Sequence, residues 1–209
     1  MRQYDVDEFH MKKASRCSVG WGRLPKQTLA ERNEALKPFA DCISENLEFG
    51  LLQAWDVKGF GKIPSALRVN VGNPDDPYYL AFVRHLVELV DYGQNDDVFS
   101  VICDEEPEKA LICHAHYNGV RRAHPQIRKK TASLSFANSK HFLPLQAADM
   151  AAFLARHEAR VGFYGMQNEW RPLFHHLVLD RGPSKMQWTK MFANEEQTKN
   201  CLKPPKRRP

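Results

Sequence analysis

No stretch of this sequence holds the roughly 18 consecutive apolar residues of a membrane-spanning helix, so no transmembrane helix and no membrane partner are expected. The N-terminus, MRQYDVDEFHMKK, lacks the apolar centre of a secretion signal. The five cysteines, Cys17, Cys42, Cys103, Cys113 and Cys201, are widely spaced and form no CxxC pair. That spacing argues against a structural zinc site and against a disulfide framework, and a reducing, cytoplasmic setting follows as the expectation. Serine catalysis lacks a GxSxG elbow, and there is no glycine-rich phosphate loop. Neither an internal repeat nor a linker-like stretch interrupts the chain.

What is there is a globular composition. The 209 residues are 43% hydrophobic and 26% charged, with a formal net charge of +5. The excess is concentrated in Lys203, Lys206, Arg207 and Arg208. That stretch reads as a solvated basic tail or a phosphate-binding arm. One domain over 1–180 and an extension over 181–209 is the economical division.

Helical periodicity predicts a helix over 29–46, with Thr28 as its cap and Pro38 as either a kink or the true start. A strand is expected over 48–57, followed by a loop to Pro74. Pro77 opens an apolar helix to about Tyr92 that calls for burial or a partner surface. Residues 98–103 (VFSVIC) have the pattern of a central strand. Pro107 opens a helix to about Asn118, 131–136 alternates as a strand, and Pro144 opens a helix to about Arg160. Pro172 to Leu179 is one more apolar segment, and a short helix is expected around Trp188 to Phe192. Alternating strands and helices imply an α/β fold, although three strands are few for so many helices.

Two carboxylate positions stand out. Asp104, Glu105 and Glu106 follow the apolar strand directly, where α/β sheets often place functional side chains. The competing reading of the same run is a solvated acidic turn that caps the helix starting at Pro107. Asp149 shares a helical face with Leu145, Ala152 and Phe153, near Gln146 and Arg156. A carboxylate among apolar neighbours needs a metal, an ion pair or a hydrogen bond to a backbone group. Carboxylates converging from a strand end and a helix would form an oxygen site for Mg²⁺ or Mn²⁺, able to activate water and clamp a phosphodiester. His114 and His116 sit two apart on a helix and make a poor metal pair. His175 and His176 have no partner motif, and the four tryptophans read as core rather than base-stacking residues.

The segment ASLSFANSKHFLPLQAADMAAFLARHE, Ala132 to Glu158, resembles the C-terminal motif of the domain of unknown function 3800 family. In that motif a strand ends in a Phe-x-x-Ser-Lys turn, and a helix with Leu-Gln-x-Ala-Asp follows. The matching positions here are Phe136, Ser139, Lys140, Leu145, Gln146, Ala148 and Asp149. VFSVICDEE resembles the family's second acidic motif, DDPYYLAF its segment before a buried helix, and EFHM its short Phe-His segment. The likeness spans about residues 5 to 160.

The resemblance implies a ribonuclease H-like mixed sheet flanked by helices and a metal-dependent nuclease, a type met in bacterial and mobile-element settings. By this likeness Asp104 and Asp149 are catalytic, and Asp104, Glu105 and Asp149 hold Mg²⁺ or Mn²⁺. His10, Ser139, Lys140 and Gln146 are accessory. The family's first strand carries Asp-Glu-Ser, which this sequence lacks; Asp5, Asp7 and Glu8 follow no apolar strand. The expectation is therefore a domain missing its first strands, with weak or no nuclease activity. An exposed sheet edge would then favour homo-oligomers or strands lent by another chain. The competing reading is a catalytically dead remnant or protein-interaction module that keeps the fold only.

Overall fold

The computed structural model describes residues 9–15, 28–65, 76–94, 96–178 and 187–202. Asp5, Asp7, Glu8 and the basic stretch from Lys203 to Arg208 lie outside the described residues. The described elements, in order, are α1 (Met11–Ser15), α2 (Leu29–Asn46), β1 (Phe49–Trp55), α3 (Val57–Gly61), α4 (Pro77–Tyr92), β2 (Phe99–Asp104) and α5 (Pro107–Ala123). There follow α6 (Pro125–Lys130), β3 (Thr131–Ala137), α7 (Leu143–Tyr164), α8 (Arg171–Val178), β4 (Gln187–Ala193) and α9 (Glu195–Leu202). The architecture is mixed α/β and mostly helical, with two small parallel sheets, β1–β4 and β2–β3.

The chain divides into two compact units. The first comprises Met1–Leu52 and Ala137–Lys190, the second Gln53–Phe136 and Met191–Pro209.

In the first unit, α2 and α7 pack on α8, and α1 packs on α7. α2 begins where its sequence indicates. Thr28 Oγ1 accepts from the Glu31 N–H, and Glu31 Oε2 accepts from the Thr28 N–H at 2.7 Å, a reciprocal capping box. The helix runs through Pro38, which is not its start. α7 opens with Pro144 in its first turn and stops at Gly165, whose φ of 64° lies in the left-handed region that glycine enters without a Cβ clash. Met11, Met150, Leu154, Leu173, Phe174 and Leu177 fill the core of this unit, each 1% exposed or less.

In the second unit, α4 is capped by Asp76, whose Oδ1 accepts from the Tyr78 N–H at 2.9 Å. Its apolar residues find partners within the unit. Tyr79, Phe82 and Leu86 pack with Cys113 and Tyr117 of α5 and Leu134 of β3. Leu80 joins Phe60 and Ile63 against Trp55. β2 and β3 are joined through α5 and α6, the long crossover that parallel strands require.

Around Trp188 the expectation fails. Residues 187–193, QWTKMFA, form β4 beside β1 rather than a helix. The segment is rich in strand-favouring Trp, Thr and Phe, and pairing decides the conformation of a run too short for periodicity to settle. The expected loop after β1 also contains a helical turn, α3, capped by Asp56, whose Oδ1 accepts from the Lys58 N–H at 3.1 Å.

Candidate functional site

The Leu-Gln-x-Ala-Asp helix anchors the Phe-His segment through two of its polar side chains. Gln146 is 4% exposed. Its Oε1 accepts from the Phe9 N–H at 2.9 Å, and its Nε2 donates to the Ser139 carbonyl at 2.7 Å. Both ends of the amide are thereby satisfied, which removes the cost of burying it. One turn along, Asp149 Oδ2 accepts from the Met11 N–H at 2.9 Å. That N–H belongs to the first turn of α1 and has no partner within its own helix. Asp149 therefore does for α1 what a local capping side chain does elsewhere, from 138 residues away. His10 Nδ1 stands 3.8 Å from the same oxygen, an ion pair when the imidazole is protonated.

The Asp149 side chain is 44% exposed. It is not a buried carboxylate among apolar groups, because its face of α7 opens onto a cleft. That cleft, about 530 Å³, is lined by Lys12, Ser15, Leu29, Arg32, Asp149, Ala152, Phe153, Arg156, His157, Arg160, Glu169 and Trp170. Four cations face two carboxylates there, so the local potential favours an anion. The Arg32 Nη1 donates to the Ser15 carbonyl at 3.1 Å, while its Nε is buried without a partner among the described residues. Phe153 and His157 lie with ring centroids 4.5 Å apart, tilted by 38°, and Trp170 meets Phe153 edge-on at 5.8 Å. Burial holds the His157 imidazole below its ordinary pKa, and the Arg160 and Arg156 charges push it the same way.

Ser139 and Lys140 occupy the turn before α7, where the Lys140 N–H donates to Asn138 Oδ1 at 2.9 Å. Asp104 and Glu105 belong to the second unit, at the end of β2, and both are exposed. Asp104 Oδ1 accepts from the Glu105 N–H at 3.1 Å. Glu106 stands at the cap of α5 but makes no capping hydrogen bond, and pairs instead with Lys109 at 2.9 Å. The acidic run thus faces solvent at the end of β2.

The histidines of α5 make aromatic contacts, His116 with Tyr79 and His114 with Phe136. His176 has a partner that sequence spacing does not reveal, Asp41 of α2, at 2.8 Å. Cys103 is pushed up to about 11 by burial and is a protonated thiol at neutral pH.

Oxygen donors suit Mg²⁺ or Mn²⁺, and Asp149 offers a half-exposed carboxylate whose Oδ1 has no hydrogen bond among the described residues. No group of three or more His, Cys, Asp or Glu side chains able to hold a metal gathers among the described residues. An ion on Asp149 would therefore have to complete its shell largely with water, as Mg²⁺ commonly does. Sequence reasoning missed Lys12, Arg32, Arg160 and His157. The signal was present for part of them: Asp149, Ala152, Phe153, Arg156, His157 and Arg160 recur at three- and four-residue steps, one stripe along one helix. Among the described residues no helix is long and apolar enough to cross a membrane. Neither a family model, nor a curated protein, nor a solved structure matches the chain.

Proposed function

We propose that this chain is a nuclease-like domain that takes hold of nucleic-acid phosphodiesters, with Asp149 as a ligand for Mg²⁺ or Mn²⁺ and Lys12, Arg32, Arg156 and Arg160 seating the phosphate backbone. The observation that carries the phosphodiester part of this reading is a cleft that sets four cations beside the half-exposed Asp149 and Glu169, while the metal role of Asp149 rests on the family likeness. The likeness of Ala132 to Glu158 to the domain of unknown function 3800 motif supports it, and on that likeness Asp104 and Glu105 keep a metal role. A bound divalent cation would supply charge neutralisation at phosphate and a more acidic bound water. His10, 3.8 Å from Asp149, keeps the accessory role that the likeness gives it. Arg156 and Arg160, one turn apart, are spaced to hold the backbone still.

A second reading has its own observation. Asp149 and Gln146 tie the Phe9–Met11 backbone to α7, which is reason enough for both residues in a fold without catalysis. The test is retention and cleavage of labelled oligonucleotides with and without Mn²⁺. The proposal expects Mn²⁺ to strengthen retention in the wild type and not in Asp149→Asn, with unchanged thermal melting. Cleavage lost in the same variant would identify turnover. Retention that ignores both Mn²⁺ and Asp149→Asn would leave the fold-only module standing.

A further inference from the structure

We infer that the occupant of the Asp149 cleft is a single-stranded nucleic acid, with a base set against the Phe153–His157 pair and its flanking phosphates on Arg156 and Arg160. This rests on the phosphodiester reading above and goes further by naming the form of the strand. The argument begins with the order of residues along α7. Carboxylate, small residue, aromatic, cation, aromatic and cation follow one another on a single stripe: Asp149, Ala152, Phe153, Arg156, His157, Arg160. At 1.5 Å per residue, the eleven steps from first to last span about 16 Å. Charge alternates with flat apolar surface over that length, as phosphate alternates with base in an unpaired strand.

The aromatic pair lines one wall of the cleft, its two rings inclined by 38°. Phe153 and His157 are partly exposed, whereas Trp170, which meets Phe153 edge-on, is 5% exposed and backs the ring from the core. Burial and the two neighbouring arginines oppose protonation of His157, with Glu169 acting the other way, and its ring lines the cleft beside Phe153. Ala152, small and exposed, leaves room beside the pair. The cleft volume, about 530 Å³, falls within the general range of small-molecule sites. A duplex keeps its base faces stacked inside and would use only the cations. An acidic peptide would likewise have no use for the aromatic pair. Stacking on aromatic side chains combined with cations along the backbone is the chemistry of unpaired strands.

The experiment measures affinity by fluorescence anisotropy for labelled oligo(dT), oligo(U), a duplex of equal length, inorganic polyphosphate and poly-glutamate. The wild type is expected to bind both single strands at least about 10-fold more tightly than the duplex or poly-glutamate. Phe153→Leu, which keeps apolar bulk, should weaken the single strands by about 5- to 150-fold and leave polyphosphate unchanged. Ala152→Trp, a change at an exposed position, should block the single strands even if the Phe153 variant folds poorly. The double variant Arg156→Glu/Arg160→Glu should weaken every polyanion. If that double variant weakens all polyanions while Phe153→Leu and Ala152→Trp do not affect the single strands, the strand-form inference is overturned and the phosphodiester reading stands. Preference for poly-glutamate, or indifference of all polyanions to the double variant, overturns both.

Discussion

A single oxygen of Asp149 carries two interactions, and substitutions can separate what they contribute. It caps the Met11 N–H at 2.9 Å and lies 3.8 Å from His10. Asn keeps a side-chain acceptor for the N–H but loses the charge that a cation needs. Asp149→Ala is therefore expected to cost about 1 kcal/mol, the usual worth of a helix cap, and Asp149→Asn a few tenths, as read from chemical denaturation. His157 supplies a pH test. Its folded-state pKa is depressed by burial and by Arg160 and Arg156, so the unfolded chain takes up the proton first as pH falls. Stability from this group is full above pH 6.5 and declines below it. His157→Gln should flatten the loss of thermal stability between pH 7 and pH 5; a variant that falls as steeply as the wild type would contradict this. Local residue types made Asp149 a candidate from sequence, but its capped N–H lies 138 positions away and no local pattern could reveal it.

Elements whose start and stop signals are local were readable from sequence. Thr28 with Glu31, Asp76 with Pro77, and the Pro144 opening of α7 each mark a helix start. The end of α7 was less so: its last residue, Tyr164, lies four beyond the expected Arg160, and Gly165 caps it. β4 escaped because a seven-residue run is decided by the strand it pairs with. The glycines of two helices yield opposite expectations. Gly119 sits inside α5 with nothing within 4 Å of an added Cβ, so Gly119→Ala should stabilise by about 0.5–1 kcal/mol. Gly165 also has open space, but its φ is 64°, so Gly165→Ala should destabilise by about 1–2 kcal/mol. Thermal melting of both variants checks the pair. In the core of the first unit, Leu173→Ala removes a side chain with no solvent exposure and should cost about 2–5 kcal/mol by denaturant titration.

Taken as a whole, the molecule carries +5, yet the charge that matters most to the proposed function is a local one, the four cations of one cleft. Composition sums over the chain and cannot show that Lys12 of α1, Arg32 of α2 and Arg156 and Arg160 of α7 share a lining. What sequence did provide was the α/β class, most helix positions, and the Gln146–Asp149 turn as a place to look. A single phosphate contact by Arg156 should appear in the salt dependence. Arg156→Ala is expected to reduce the slope of log affinity for a single strand against log salt by about 0.7. The most direct measurement is a calorimetric Mn²⁺ titration of the wild type beside Asp149→Asn and Asp104→Asn. The proposed function expects a saturable heat in the wild type that Asp149→Asn abolishes while its melting temperature holds, and a separate heat lost only in Asp104→Asn would give that residue a metal role of its own. An Asp149→Asn titration that matches the wild type would contradict the claim that Asp149 is a metal ligand.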